Sequence, residues 1–117
     1  MRYRAHIFAL VAMSLLSFLL GCSQSGPKLV EGGLAACVSI LPGLTSVYRW
    51  QGKVETATEV PLLIKTTRAA YTHLETTLRA HHPYELPEII AVPVITGFPG
   101  YLQWVAQETQ PPASGNT

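Results

Sequence analysis

The sequence predicts an α+β sandwich of the split βαβ, ferredoxin-like kind, and three observations carry that reading. From Lys53 to Lys65 the residues alternate with period two behind a turn signal at Gln51-Gly52, as the return arm of a hairpin does. A helical pattern follows from Arg68 to about His81. An apolar run, Glu88 to Ile95, then reads as one more strand. With a helix end in front and a short helix behind, the order is helix end, strand, strand, helix, strand, helix. A strand ahead of the first helix completes the arrangement.

Lys28 to Gly33 has the pattern of a last helical turn, stopped by Gly32-Gly33. Leu34 to Ile40 is small and apolar and reads as a strand. Leu41-Pro42-Gly43 must bend or bulge it, because proline gives no donor to a ladder. Thr45 to Trp50 resumes β, rich in Val, Tyr and Trp. On the return arm Val54, Thr56, Thr58, Val60, Leu62 and Ile64 share one face, and Lys53, Glu55, Ala57, Glu59, Pro61, Leu63 and Lys65 the other. Pro61 marks an edge or a bulge.

Thr67 is placed to cap the next helix, whose buried stripe is Ala70, Tyr71, Leu74 and Leu78, with Glu75 and Arg79 as an exposed i,i+4 pair. Pro83 ends that helix by pushing His82 out of the α region. The run from Glu88 to Ile95 is apolar on both faces, which predicts a central strand. Thr96 to Gly100 reads as a loop, and Tyr101, Trp104 and Val105 as one face of a short final helix. The hairpin from Thr45 to Leu63 carries more apolar surface than one short helix covers, which predicts an oligomer.

Composition narrows the function classes. A chain of 117 residues with net charge +1 and 13% charged residues has no basic surface of the kind nucleic acid requires. Two cysteines, Cys22 and Cys37, make neither a disulfide framework nor a cysteine zinc site. Residues 110–117 are a Pro/Ser/Gly tail without core-forming side chains and read as disordered. Arg2 and Arg4 precede the apolar run Ile7 to Leu20, which ends in Leu19-Leu20-Gly21-Cys22. Residues 1–21 therefore read as a secretory signal whose 14-residue apolar run is too short for a membrane span of about 20 residues, with 22–28 as a linker. Leu-Leu-Gly-Cys also resembles the lipobox of bacterial lipoproteins, which would make Cys22 the lipidation site and hold the domain at a membrane.

Several blocks together resemble the CutA divalent-cation tolerance family. They are Leu29 to Val38, Ile40 to Tyr48, Trp50 to Lys53, Ile64 to Thr66, His81-Pro83-Tyr84 with Pro87 to Ile90, and Tyr101 to Trp104. They cover about Leu29 to Val105, in the family's order, and define a CutA-like domain over 29–109. The resemblance implies a ferredoxin-like subunit related in shape to the PII signalling proteins, assembled as a tight homotrimer through the long hairpin. It also implies tolerance of copper and other divalent metals, and no established enzymatic activity. In animal members it extends to a role in anchoring acetylcholinesterase at membranes.

Bacterial members are described as binding copper through two adjacent histidines and a cysteine at the end of the first strand. His81 and His82 match the histidines; the cysteine has no counterpart, since the first strand falls near Ala9 to Ser14. Cys37 matches a position in the second strand. Leu15 to Lys28 stands where the family has an acidic loop and its first helix, and Gly21 and Gly26-Pro27 would break a helix there. Three readings stay open. The chain is an envelope lipoprotein with a trimmed domain lacking its first strand; or it is uncleaved, with Ile7 to Ser14 as that strand; or the reading frame carries a wrong start or frameshift ahead of an ordinary cytoplasmic protein.

Among the candidate sites, His81 and His82 come first. Adjacent helical side chains point about 100° apart, so a pair chelates one ion only if the backbone turns between them, and Pro83 supplies a turn. Imidazole suits copper and zinc; without a third ligand the site is weak or shared between subunits. The competing reading is that both rings satisfy carbonyls at the helix C-terminus. Tyr48, Trp50, Tyr84, Glu88 and Trp104 are candidates for a small-molecule cleft between subunits, against plain aromatic packing. Cys37 reads as a small buried residue and His73 as solvated. Glu55, Glu59, Glu85 and Glu88 show no acid/base spacing, and nucleophile, phosphate-loop and metalloprotease signatures are missing from the sequence.

Overall fold

The computed structural model describes residues 6–14, 25–82 and 84–110. Cys22, Pro83, most of the signal-like segment and the tail beyond Gln110 lie outside them. Along the described chain run β1 (His6–Ser14), α1 (Ser25–Glu31), β2 (Cys37–Ile40), β3 (Leu44–Trp50), β4 (Lys53–Thr67), α2 (Arg68–His81), β5 (Ile89–Pro93) and α3 (Pro99–Glu108). The sheet order is β2-β4-β1-β5, with β3 paired to the outer part of β4, and every pairing is antiparallel.

The middle position is filled. β1 runs from His6↔Thr67 to Ser14↔Glu59 along β4, and from Ile7↔Pro93 to Val11↔Ile89 along β5. The apolar N-terminal run thus supplies the strand that the element order required. β5, expected in the centre, is the edge strand beyond β1. Its Ile90 and Val92 are half exposed and Pro93 sits at its end, where a missing donor does no harm to the ladder. A run apolar on both faces is here an edge whose surface the single chain leaves uncovered.

Gly26-Pro27 opens α1 rather than breaking it. The first four N–H groups of a helix have no intrahelical partner, so a proline in the first turn loses nothing. The expected stop holds: Gly33 has φ +72°, its N–H donates to Val30 O at 3.1 Å, and Leu34 N–H reaches back to Leu29 O at 3.0 Å. These are the two bonds of a Schellman cap. The strand after it begins at Cys37, later than Leu34, although Ala36 N–H already donates to Lys65 O at 2.9 Å.

β2 and β3 behave as one strand interrupted by a bulge. Ile40 faces Leu62 and Leu44 faces Glu59, so four steps on one side match three on the other. Leu41-Pro42-Gly43 absorbs the extra residue opposite Pro61, and Leu41 N–H donates to Pro61 O at 3.0 Å. At the hairpin tip Gln51 (φ 49°) and Gly52 (φ 82°) are both left-handed, the two-residue turn whose twist suits flanking strands.

α2 spans the predicted residues and buries Ala70, Leu74 and Leu78. They join Leu29, Ala35, Leu62 and Ile64 in the core, with Leu34, Val38, Tyr71 and Ile89 packed against it. Thr67 occupies the N-cap position without a side-chain cap bond, because it is still the last ladder residue of β4, opposite His6. Glu75 meets the Tyr71 hydroxyl in place of the expected pairing with Arg79; burial, and then this carboxylate, hold the Tyr71 phenol above its usual range. α3 starts at Pro99, inside the predicted loop, with proline in its first turn. It lies against β4 and β1 with Val105 buried.

Gly33 is the tightest point of this fold. A Cβ there would overlap Gln110 O besides holding a left-handed φ, whereas a Cβ on Gly52 has nothing within 4 Å. Gly33→Ala is expected to lower unfolding free energy by upward of about 2 kcal/mol, and Gly52→Ala by about 1 kcal/mol. Urea midpoints at unchanged slope check this; equal losses would show that the Gln110 contact yields freely.

Candidate functional site: a groove beside the hairpin

β1 stops at the Ser14↔Glu59 pair, while β4 continues outward to Lys53 with β3 as its remaining partner. Past that stop the chain leaving α2 crosses through Tyr84 to Glu88 before entering β5. Between hairpin and crossing lies an open groove of about 770 Å³. The pleat decides what enters it. Ser46, Tyr48 and Trp50 fall on one face of β3, and Glu59, directly across from Leu44, shares that face. Tyr48, Trp50, Tyr84 and Glu88, four of the five residues predicted for a cleft, line the groove. Val47, Glu59, Glu85 and Leu86 line it too; the sequence offered Glu59 and Glu85 only as carboxylates without acid/base spacing, and Val47 and Leu86 not as site residues. Trp104 lies on α3 beside Tyr101, ring centroids 5.7 Å apart, and is not part of the groove lining.

Glu59 is the unusual member. It is 8% exposed and has neither a hydrogen bond nor an ion pair among the described residues. No fully enclosed side-chain oxygen or nitrogen among those residues lacks a partner. The carboxylate oxygens of Glu59 are therefore not fully enclosed, and the residue lines the groove.

The histidines part company. His81 is exposed, and its Nδ1–H donates to Thr77 O at 2.8 Å, the helix-end role that competes with metal binding. His82 is buried at the extended C-cap (φ −86°, ψ 133°), the conformation expected before proline. Its Nδ1 accepts the Tyr84 N–H at 3.1 Å, and its ring lies 4.9 Å from the Tyr84 ring. A neutral imidazole that accepts at Nδ1 carries its proton on Nε2. His82 could ligate only by giving up that bond or that proton. Among the described residues no three His, Cys, Asp or Glu side chains converge as a metal cluster. The pair does not fit a chelating centre within one chain.

Cys37 is half-buried in β2 and faces Lys65 of β4, whose ammonium donates to Cys37 Sγ at 3.6 Å and to Ser39 Oγ. Burial, and then the nearby Cys37, raise the Tyr101 phenol above its usual range. This cluster sits on the α3 side of the sheet, away from the histidines.

A four-position antiparallel sheet with α1 and α2 over one face and a projecting hairpin defines an α+β subunit of ferredoxin-like, PII-like form. A family profile described as CutA1 divalent ion tolerance protein matches residues 22–108. The divalent-cation tolerance protein CutA of Thermus thermophilus is 52% identical over 81 residues, covering 69% of this chain and 79% of that one. The solved structure of the Thermus thermophilus protein superposes with a TM-score of 0.81 at 42% identity, covering 90% of this chain and 99% of that one. A PII-like CutA from Nostoc gives 0.79 at 29% identity, covering 89% and 97%. The chain spans about half the length of animal relatives such as mouse Protein CutA, to which it is 46% identical over 88 residues. This chain belongs to the CutA divalent-cation tolerance family.

Proposed function

We propose that this chain serves divalent-cation tolerance as a non-enzymatic binding and signalling module, assembled as a homotrimer through its hairpin. The observation that carries this is the uncovered apolar face of that hairpin: Val47 is 68% and Val54 65% exposed, on the side opposite Tyr48 and Trp50. Edge strand β5 adds Ile90 and Val92. Exposed apolar strands of this length call for a partner chain, and a trimer is what the family resemblance implies. A native mass about three times the 12.7 kDa chain is expected, and Val54→Lys should shift it toward the monomer. A monomeric parent chain would end this reading.

Copper is the metal the resemblance implies. In this proposal His81 Nε2 is the accessible nitrogen, with further ligands from neighbouring subunits, so binding is weak. Copper(II) should raise the melting temperature by a few degrees at millimolar concentration, as a ligand of the folded form does. His81→Ala should remove that shift; a shift that survives places copper elsewhere.

The groove favours a second reading, a small-ligand sensor of the PII-like kind, in which the groove and not the histidine pair is the working site. For the N-terminus we propose that residues 6–14 stay in the mature chain, because losing them at a Cys22 cut would strip both β4 and β5 of a ladder partner. Intact mass of the protein from its own cells decides this. A mass retaining His6–Ser14 places the protein with ordinary cytoplasmic members, and an acylated chain starting at Cys22 makes it a membrane-tethered lipoprotein.

A further inference from the structure

We infer that the groove takes an organic ammonium cation; the inference rests on the small-ligand reading above and gives that ligand a charge and a size. Tyr48, Trp50 and Tyr84 supply three aromatic rings, Glu59, Glu85 and Glu88 three carboxylates, and among the described residues no lysine or arginine belongs to the lining. A concave site whose charges are all of one sign concentrates the opposite ion. Aromatic faces hold ammonium groups through the ring quadrupole, and more tightly where water is thinned.

Glu59 turns this from a general field into a site. Glu59, buried as a residue and with no donor for its carboxylate among the described residues, is poorly placed until a positive charge meets it. It lines the groove together with Tyr48, Trp50 and Tyr84. An anionic ligand would face three carboxylates and, among the described lining residues, no cationic side chain. A bare metal ion is too small a cation: it needs several donors converging at coordination distance, and no such convergence exists among the described residues. Dispersed carboxylates with rings between them suit a cation several carbon atoms across. The groove volume of about 770 Å³ is that of a small-molecule site. Tyr48 and Trp50 stand on the hairpin face opposite Val54, while Val47, on the Val54 face, also borders the groove, so assembly through that face sets the groove beside the subunit interface.

The test is calorimetric titration of the full chain with choline, a quaternary ammonium ion, and with dimethylbutanol, its uncharged carbon isostere. Choline is expected to bind about tenfold more tightly than the isostere, the scale of a desolvated charge–ring contact. Glu59→Gln removes the charge at constant shape and is expected to weaken choline about tenfold without changing the isostere. Glu88→Gln, at the exposed rim, should weaken choline less and serves if the Glu59 variant does not fold. Equal binding of the two probes, or choline binding untouched by both substitutions, overturns the cation and leaves a ligand groove. Binding of neither probe overturns both.

Discussion

A sheet with a vacant middle position leaves the N–H and C=O groups of two strands without partners, and the placement of β1 between β4 and β5 is what prevents that here. Much else follows from this one ladder. β4 can be long because its inner half is paired on both edges, to β2 and β1, and its outer half is held by β3. The same ladder sets the floor on which α1 and α2 bury Leu29, Leu74 and Leu78 against Leu62 and Ile64. A lipobox-directed cut and an intact sheet are therefore competing demands on the same stretch of chain.

The groove is a consequence of where that ladder stops. β1 ends opposite Glu59, the hairpin runs on, and the crossing from α2 to β5 passes beyond the end of β1. A space bounded by strand, hairpin and crossing loop is left, floored by the last side chain of β4 that still has β1 beside it. Aromatic residues on alternate positions of β3 and on the crossing loop line that space, and Glu59, Glu85 and Glu88 give it one sign of charge.

The histidine pair shows how local backbone demands compete with ligand chemistry. His81 answers a carbonyl of its own helix, and His82 answers the N–H of the residue after Pro83. Each bond is the ordinary response of a helix end to unpaired main-chain groups. Adjacent in sequence, the two rings are one exposed and one buried, and a shared metal would have to outbid the main chain at His82.

The hairpin turn at Gln51-Gly52, the bulge opposite Pro61, the Gly33 stop and the apolar stripe of α2 were legible in the sequence, because each is written by residues a few positions apart. Conformational freedom at glycine, its loss at proline and the two side-chain periods act over that range. Glu55 and Glu59 are indistinguishable on those terms, both acidic and both on the same face of one strand. The register with Ser14 makes one exposed and the other buried at the groove. Likewise the apolar run at β5 reads as central until the chain is folded, since burial depends on which strands lie alongside and not on the run itself. The sequence by itself determined the elements and their turns, which are short-range; the tertiary structure alone decided the strand order, the fate of Glu59 and the separation of the histidines, because those depend on contacts between residues far apart in the chain.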